Sequence, residues 1–194
     1  ISSFLQSEYA KLKNGEKSRH IASVSGRIMS IRDIGKILFA TLYDGYGNIQ
    51  IILQDEETSE KNISFFRNYI DSGDFAAIKG RVFRTKRGEL SILADEIILL
   101  AKSVYPLPEK WHGIQDAEER LRKRYLDILM DPEVKEMFVR KSKFWNAIRA
   151  FLASKGFMEV ETPVLETSAG GANATPFTTH LNALDIDVYL RISM

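Results

Sequence analysis

Two side chains on consecutive predicted strands could together bind a nucleic-acid base. Phe39 lies in the alternating run ILFATLYD, Gln50 lies in the β-branched run NIQIILQ, and a tight turn joins the two runs. An exposed aromatic ring lets a base stack on it, and a glutamine amide can hydrogen-bond to the Watson–Crick edge. Arg27 and Arg32 on the preceding strand could neutralise a phosphate or stack. The alternative is that Phe39 packs in the core and Gln50 only faces water, and the pattern alone leaves both open.

The second candidate site is the glycine-containing segment SAGGANATPFTTH, residues 168–180. Gly170 and Gly171 permit positive φ and let the backbone approach a ligand without a Cβ in the way. Backbone N–H and C=O groups in such a segment could hold a zwitterionic small molecule. A plain flexible loop is the alternative, and the motif by itself does not decide between them.

The remaining polar residues form no recognisable catalytic constellation. His20, His112 and His180 are scattered, and we interpret each as a loop or surface residue. The sequence contains no HExxH, no phosphate-binding GxxxxGK and no metal-ligand spacing. Asp185 and Asp187 alternate with apolar residues, so they could form a metal pair, although a solvated strand face is the simpler explanation of the spacing.

The elements that must position these side chains begin with a β-rich region, from residue 21 to about residue 101. Its period-two runs predict three strands, a helix and two strands, which is the order of an OB-type barrel. A five-stranded meander with an inserted helix is the alternative that the same order allows. In the first hairpin turn, YDGYGN, we expect Gly45, Gly47 and Asn48 to supply the positive φ that such turns need.

Beyond a proline-containing linker at residues 104–116, the hydrophobic period changes to that of helices. The run DAEERLRKRYLDILM predicts one short helix, whose basic residues could contact a phosphate backbone or an interdomain carboxylate, or simply face water. Asp131 and Pro132 predict the start of a longer helix, which ends at Lys155–Gly156. The run FMEVETPVL then predicts a strand, and its proline confines that end to an edge or an interface.

Composition sets broad limits on the class of protein. The 194 residues, 44% hydrophobic and 27% charged, suit one large or two small globular domains. No apolar run approaches the roughly 20 residues that a bilayer span needs. The lack of cysteine excludes disulfides and thiolate zinc sites and favours a cytoplasmic location. Because the chain starts at Ile1 and stops in the strand-like run DIDVYLRISM, we interpret it as part of a longer polypeptide.

Taken in order, five segments closely resemble bacterial-type class II lysyl-tRNA synthetases. They are GRIMSIRDIGKILFATLYDGYGNIQ, PLPEKWHGIQDAEERLRKRYLDIL, GFMEVETPVL, GGANATPF and NALDIDVYLRIS. The resemblance implies an α+β fold: a five-stranded OB-fold β-barrel, then the start of a class II aminoacyl-tRNA synthetase antiparallel α/β catalytic domain. The implied divisions are a lead-in at 1–20, the anticodon-binding barrel at 21–103, a linker at 104–116 and the catalytic start at 117–194.

The resemblance also implies roles for individual residues of the barrel. Phe39 would stack on the central anticodon uridine and Gln50 would read its edge. Arg32 and Glu96 match further anticodon-contacting positions.

In the second half, the helix from Pro132 and the run GFMEVETPVL resemble the motif that forms the homodimer interface of class II synthetases. This interface would include the residues Phe138, Trp145 and Pro163. The GGANATPF segment resembles the amino-acid-binding loop, whose backbone would contact the main-chain groups of lysine at Gly170, Gly171 and Ala172. Thr175 stands where an Arg is common in that loop.

The implied activity is ATP-dependent formation of lysyl-adenylate and transfer of lysine to tRNA(Lys). The resemblance assigns no catalytic or metal-binding residue to this segment, and places the ATP and Mg²⁺ ligands beyond Met194. We therefore expect the segment alone to bind tRNA and to form a homodimer, without activating lysine and without contacting a membrane. Two alternatives stay open: an asparaginyl- or aspartyl-tRNA synthetase of the same subclass, and a non-catalytic OB-fold tRNA-binding fragment.

Overall fold

A computed structural model describes residues 2–108 and 113–194, which fall into two compact units. One unit ends at Met130 and the other begins at Asp131, and both strands and helices contribute. His112 and the middle of the expected linker lie outside the described residues. The mixed α+β content predicted from the sequence is confirmed.

The first unit is built around a closed five-stranded barrel, in the strand order β1-β2-β3-β5-β4. The strands β3 and β5 pair in parallel, and the other neighbouring strands pair antiparallel. This is the predicted succession of three strands, a helix and two strands. The bounds are α1 Ser2–Glu8, β1 Lys17–Asp33, β2 Ile37–Tyr43, β3 Asn48–Gln54, α2 Glu60–Tyr69, β4 Phe75–Arg84 and β5 Leu90–Ala101.

The period-two pattern of the strands separates the core from the outer surface of the barrel. On β2, Leu38, Ala40 and Leu42 are buried in the core, while Phe39 and Thr41 between them point outward and keep partial exposure. Successive side chains of a strand point to opposite faces, so the residues that alternate with the core ones form the outer face. Any site that involves Phe39 therefore lies on the outside of the barrel.

The first hairpin turn differs from the prediction. Gly45 has a positive φ of 91°, but Gly47 and Asn48 do not, and Asn48 is already the first residue of β3. One carboxylate oxygen of Asp44 accepts hydrogen bonds from the backbone N–H groups of Tyr46 (3.0 Å) and Gly47 (2.9 Å). Because the Asp44 side chain satisfies these donors, the turn needs only one residue with positive φ.

The prediction of a single helix for DAEERLRKRYLDILM is also wrong, because the run forms two short helices. These are α3 Ala117–Arg122 and α4 Arg124–Met130. The backbone leaves helical geometry at Lys123, with φ −111° and ψ 46°. The Arg120 guanidinium donates to Asp127, seven residues further on, at 2.8 Å. In one straight helix these residues would lie roughly 10 Å apart along the axis, so the break lets the side chains meet.

The second unit contains one long helix and a small sheet. Its elements are α5 Pro132–Ser154, β6 Leu165–Glu166, β7 Thr178–Leu181 and β8 Ile186–Leu190, with the antiparallel order β6-β8-β7. The helix ends are as predicted: Asp131 accepts a hydrogen bond from the Glu133 N–H at 2.9 Å, and Gly156 has a φ of 84°.

The strand predicted for FMEVETPVL forms only in part. Of these residues only Leu165 pairs with β8, together with Glu166, which follows. Pro163 has no N–H to donate, so the ladder cannot continue through it toward the helix. The C-terminal strand-like run, in contrast, forms β8, which is the central strand of its sheet.

Candidate nucleic-acid interface

The structure brings three of the predicted site residues together on the outer face of the barrel. Arg32 on β1 lies directly opposite Phe39 on β2, and the Arg32 Cζ is 5.0 Å from the centroid of the Phe39 ring. Gln50 on β3 lies opposite Thr41, which is two residues from Phe39 and on the same face. We call Arg32, Phe39 and Gln50 the stacking face. Phe39 is half-buried and lies outside the core, so the core alternative for this ring does not hold.

A row of uncharged polar side chains runs across four strands beside Phe39. In register, Ser30 faces Thr41, Thr41 faces Gln50, and Gln50 faces Ser91 on β5. The Ser30 hydroxyl donates to the Thr41 hydroxyl at 3.1 Å, and the Ser91 hydroxyl donates to the Gln50 Oε1 at 2.9 Å. Sequence reasoning missed the three hydroxyl residues. Alternation with core residues places Thr41 and Ser91 outward, whereas Ser30 reaches the outer face because of the bulge between Ile28 and Ser30. Only the register between strands shows that the three lie in one row.

The fourth predicted residue, Glu96, is held by another side chain. It lies opposite Lys79 on β4, whose ammonium donates to the Glu96 carboxylate at 2.6 Å. This hydrogen bond raises the pKa of Lys79 above its ordinary value. The pair is exposed, and such pairs contribute little to stability, so Glu96 is free to exchange this partner for another.

The loop between β1 and β2, which follows Arg32, is fixed to the helix α2 by one arginine. The Arg67 Nε donates to the Asp33 carboxylate at 2.7 Å, and the same guanidinium also donates to the Gly35 carbonyl oxygen. The hydrogen bond from Arg67 is the main cause that holds the pKa of Asp33 below its ordinary value. Sequence reasoning missed Arg67, because no local pattern connects it to a residue 34 positions earlier.

The basic residues of α3 and α4 are paired with nearby carboxylates. The buried Asp127 accepts hydrogen bonds from Arg120 (2.8 Å) and Arg124 (2.6 Å). Arg122 and Lys123 pair with the acids four residues before them, Glu118 and Glu119. The carboxylate partners of these four basic residues therefore lie within the run itself and not in another domain.

The predicted amino-acid loop lies in the second unit and is exposed at Gly170, Gly171 and Ala172. Gly171 has a φ of 86°, and a Cβ added there would lie 2.8 Å from the Cβ of Ser193. A Cβ added at Gly170 would meet nothing within 4 Å. Only Gly171 is therefore required to be glycine by the conformation of this loop.

The hairpin after this loop brings His180 close to Asp185 and Asp187, whose spacing would allow a metal pair. The His180 Nδ1 lies 2.9 Å from an Asp187 oxygen, and its Nε2 lies 3.3 Å from an Asp185 oxygen. Within residues 2–108 and 113–194, no group of three or more His, Asp or Glu side chains is arranged to hold a metal ion. The same part of the chain has no helix long and apolar enough to cross a membrane.

The residues predicted for a homodimer interface are all exposed to some degree. The relative exposure is 37% for Phe138 and 50% for Trp145, and Pro163 is exposed as well. Val134 is the one residue of α5 that is buried, although apolar residues recur at helical spacing along it. Large apolar side chains exposed together on one helix are typical of an interaction surface.

Two family models match the chain. One, described as an OB-fold nucleic acid binding domain, matches residues 22–100. The other, described as class II tRNA synthetases (D, K and N), matches residues 116–194. The first model thus assigns the barrel to the nucleic-acid-binding OB folds, and the second assigns residues 116–194 to the class II tRNA synthetases for aspartate, lysine and asparagine.

Individual relatives narrow the family further. The chain is 47% identical to a lysine--tRNA ligase of Dehalococcoides mccartyi over 190 residues, which is 98% of this chain and 38% of the relative. It is 46% identical over 194 residues to the corresponding ligase of Thermoanaerobacter pseudethanolicus, again 38% of the relative, and 46% identical over 171 residues to that of Aquifex aeolicus. The chain belongs to the lysyl-tRNA synthetase family. It spans about 38% of the length of the first two relatives.

Proposed function

We propose that this chain is the anticodon-reading and dimer-forming part of a lysine--tRNA ligase. The observation that carries the proposal is the stacking face: an aromatic ring, a guanidinium and an amide meet on the outer surface of an OB-fold barrel. The relatives are lysine--tRNA ligases, which supports tRNA(Lys) as the partner and disfavours the asparaginyl and aspartyl alternatives.

In this proposal each residue of the stacking face has a separate task. Phe39 stacks on the central anticodon uridine, which is worth roughly 1–3 kcal/mol. Gln50 hydrogen-bonds to the Watson–Crick edge of that base, and Arg32 stacks on the base or neutralises a phosphate. Glu96 contacts a neighbouring nucleotide after it exchanges its exposed partner Lys79. The choice between uracil and cytosine then comes from Gln50, and Phe39 and Arg32 supply affinity.

The ligase reaction that we propose for the whole protein has two steps. The lysine carboxylate attacks the α-phosphate of ATP, which gives lysyl-adenylate and releases pyrophosphate. The terminal ribose hydroxyl of tRNA(Lys) then takes the lysyl group and releases AMP. In this chain, the backbone at Gly170, Gly171 and Ala172 would hold the main-chain groups of lysine. The exposed loop and the positive φ of Gly171 are compatible with a close approach of a ligand to the backbone.

ATP and Mg²⁺ are proposed ligands of the whole protein rather than of this chain. The carboxylates in the described ranges do not form a cluster that suits Mg²⁺, so we assign no step to the ion here. Because the first relatives are more than twice as long as this chain, they leave room for such ligands outside it. Bound Mg²⁺ would neutralise the phosphate charge of ATP.

Two further parts of the proposal concern assembly and location. The exposed residues Phe138, Trp145 and Pro163 would be covered by a second copy of the chain, which gives a homodimer. The absence of cysteine supports a cytoplasmic location.

A direct test of the proposal uses short RNA hairpins that carry the tRNA(Lys) anticodon with uridine, cytidine or guanosine at the central position. The chain should bind the uridine hairpin tightest, and equal binding of all hairpins would refute anticodon reading. In the full-length protein, pyrophosphate exchange should depend on lysine and not on asparagine or aspartate. The 194-residue chain alone should show no exchange, and lysine-dependent exchange by it would contradict the assignment of catalysis to other residues.

A further inference from the structure

We infer that Ser91 is a positioning residue that fixes the orientation of the Gln50 amide and so sets which base Gln50 accepts. The inference rests on the proposed reading of the anticodon by Gln50. It assigns a role to a residue that sequence reasoning missed, because the two residues are 41 positions apart and meet only through the pairing of β3 with β5.

The geometry gives the Ser91 hydroxyl a fixed place. Ser91 lies in β5 between two neighbouring strands, opposite Gln50 on β3 and opposite Phe83 on β4. Its relative exposure is 0%, so water does not compete for its hydroxyl. The hydroxyl donates to the Gln50 Oε1 at 2.9 Å, which directs the amide oxygen toward β5.

This orientation determines what the amide can offer a base. The amide oxygen has two lone pairs, one of which Ser91 uses, and the amide nitrogen keeps two hydrogens. Gln50 can therefore present one acceptor and a donor side by side. Uracil offers an acceptor, O4, beside a donor, N3–H, and matches this arrangement. Cytosine offers a donor, the N4 amino group, beside an acceptor, N3, and matches only an amide that is turned over.

Rotating the Gln50 amide by about 180°, so that its oxygen and nitrogen exchange places, would weaken the hydrogen bonding of Ser91. The amide nitrogen would then face the Ser91 hydroxyl, which would have to accept and direct its own proton elsewhere. The other acceptor recorded for that proton is the Glu89 carbonyl oxygen, at 3.4 Å, a long hydrogen bond. A buried hydroxyl that loses a good acceptor destabilises the arrangement, so Ser91 favours the amide orientation that fits uracil.

The inference is restricted to the choice between uracil and cytosine. Guanine offers O6 beside N1–H, which is the same order of acceptor and donor as in uracil. The amide orientation therefore cannot reject guanine, and the larger size of a purine must do so. The preference for uridine over guanosine therefore serves as an internal reference, because replacing Ser91 should not change it.

The test measures dissociation constants of the same three RNA hairpins, by fluorescence anisotropy, for the wild-type chain and for Ser91→Ala. We expect the uridine-to-cytidine preference to fall about tenfold, within the range of one bidentate base contact, with the uridine-to-guanosine preference unchanged. Ser30→Ala is the matched control, because it removes a hydroxyl of the same row whose recorded hydrogen bond goes to Thr41 instead of Gln50. It should change neither preference.

A second variant, Ser91→Cys, keeps the test possible if Ser91→Ala does not fold. Ser91→Cys fills the same space and replaces the hydroxyl by a weak donor, so its uridine-to-cytidine preference should fall in the same direction. If the wild type prefers uridine and both variants keep the full preference over cytidine, the inference is overturned and the proposed function stands. If the wild-type chain binds all three hairpins equally, the proposed anticodon reading is refuted, and the inference about Ser91 is refuted with it.

Discussion

The guanidinium of Arg32 lies over the ring of Phe39, with its Cζ 5.0 Å from the ring centroid. The two residues face each other across β1 and β2, in the register that follows a bulge between Ile28 and Ser30. One face of the ring is thus next to a cation before any ligand arrives. A base must stack on the other face or replace the guanidinium, which can then stack on the base or bind its phosphate.

Replacing Phe39 with Ala should weaken binding of the tRNA(Lys) anticodon hairpin by roughly 1–3 kcal/mol, because the base loses its stacking partner. Fluorescence anisotropy on the wild-type and variant chains measures this change. Tyr46→Ala is the matched control, since Tyr46 is an exposed aromatic residue in the turn after β2. Unchanged affinity of Phe39→Ala would refute the stacking role.

Replacing Arg32 with Ala should make RNA binding less dependent on salt. One lost phosphate contact lowers the slope of log K against log salt concentration by roughly 0.7 for single-stranded RNA. Arg32→Lys should restore most of the slope, since it keeps the charge, but not the full affinity, since it loses the planar stacking group. Arg122→Ala is a suitable control because it removes the same charge from the helix α3, which carries no residue of the stacking face. If the slope for Arg32→Ala equals that of the wild type, Arg32 does not contact a phosphate.

The buried carboxylate of Asp74 should make the barrel less stable in acid. Its relative exposure is 0%, and it accepts hydrogen bonds from the Asp71 N–H, the Lys102 ammonium and the Ser103 N–H, each at 2.7 Å. Burial alone would raise the pKa of Asp74, but these donors outweigh it and hold the pKa below its ordinary value. A depressed folded-state pKa gives stability that is present above about pH 4, the ordinary value, and is lost as the pH falls toward the folded value.

Asp74→Asn should therefore lower the free energy of unfolding at pH 7 by about 1–3 kcal/mol. The difference from the wild type should shrink as the pH falls below about 4. Urea unfolding across that pH range measures both effects. Asp71→Asn is the control, because Asp71 binds the same Lys102 from an exposed position and should cost at most about 1 kcal/mol. A difference for Asp74→Asn that does not depend on pH would contradict the role of its charge.

Trp145→Glu should weaken the proposed homodimer. A buried interface tryptophan contributes at least about 2 kcal/mol, so the dimer dissociation constant should rise about 30-fold or more. Sedimentation equilibrium on the wild-type and variant chains measures this constant. Lys143→Glu places a carboxylate on the opposite side of α5 by helical spacing, with an even larger change in charge, and should leave the dimer intact. A wild-type chain that sediments as a monomer would rule out the interface on this chain.

Gly171→Ala should disturb the proposed lysine loop, whereas Gly170→Ala should not. Alanine at a φ of 86° costs about 1–2 kcal/mol, and its Cβ would lie 2.8 Å from the Ser193 side chain. In the full-length protein, we expect the KM for lysine in pyrophosphate exchange to rise about tenfold. Gly170 has open space around it and supplies the matched control. Equal KM values for the two variants would separate this loop from lysine binding.

The strands of the barrel, their order along the chain and the ends of α5 could be predicted from the sequence because they depend on local physics. Alternation such as that of Leu38, Phe39 and Ala40 follows from the geometry of any strand. The cap at Asp131 and the positive φ of Gly156 depend only on residues within one helical turn. The same alternation allowed Phe39 to face either the core or the solvent, and only the closed barrel decided that it points outward.

Contacts between residues that are far apart in the chain could be identified only from the tertiary structure. The contact of Ser91 with Gln50, the fixing of Asp33 by Arg67 and the pairing of Glu96 with Lys79 depend on strand register and on bulges. A shift by one residue would turn the strand residues of these pairs, such as Ser91, Gln50 and Glu96, to the other face of the sheet. The sequence by itself determined which groups can read a base. The closure of the barrel decided which of them meet, because it sets the register between strands that no local pattern encodes.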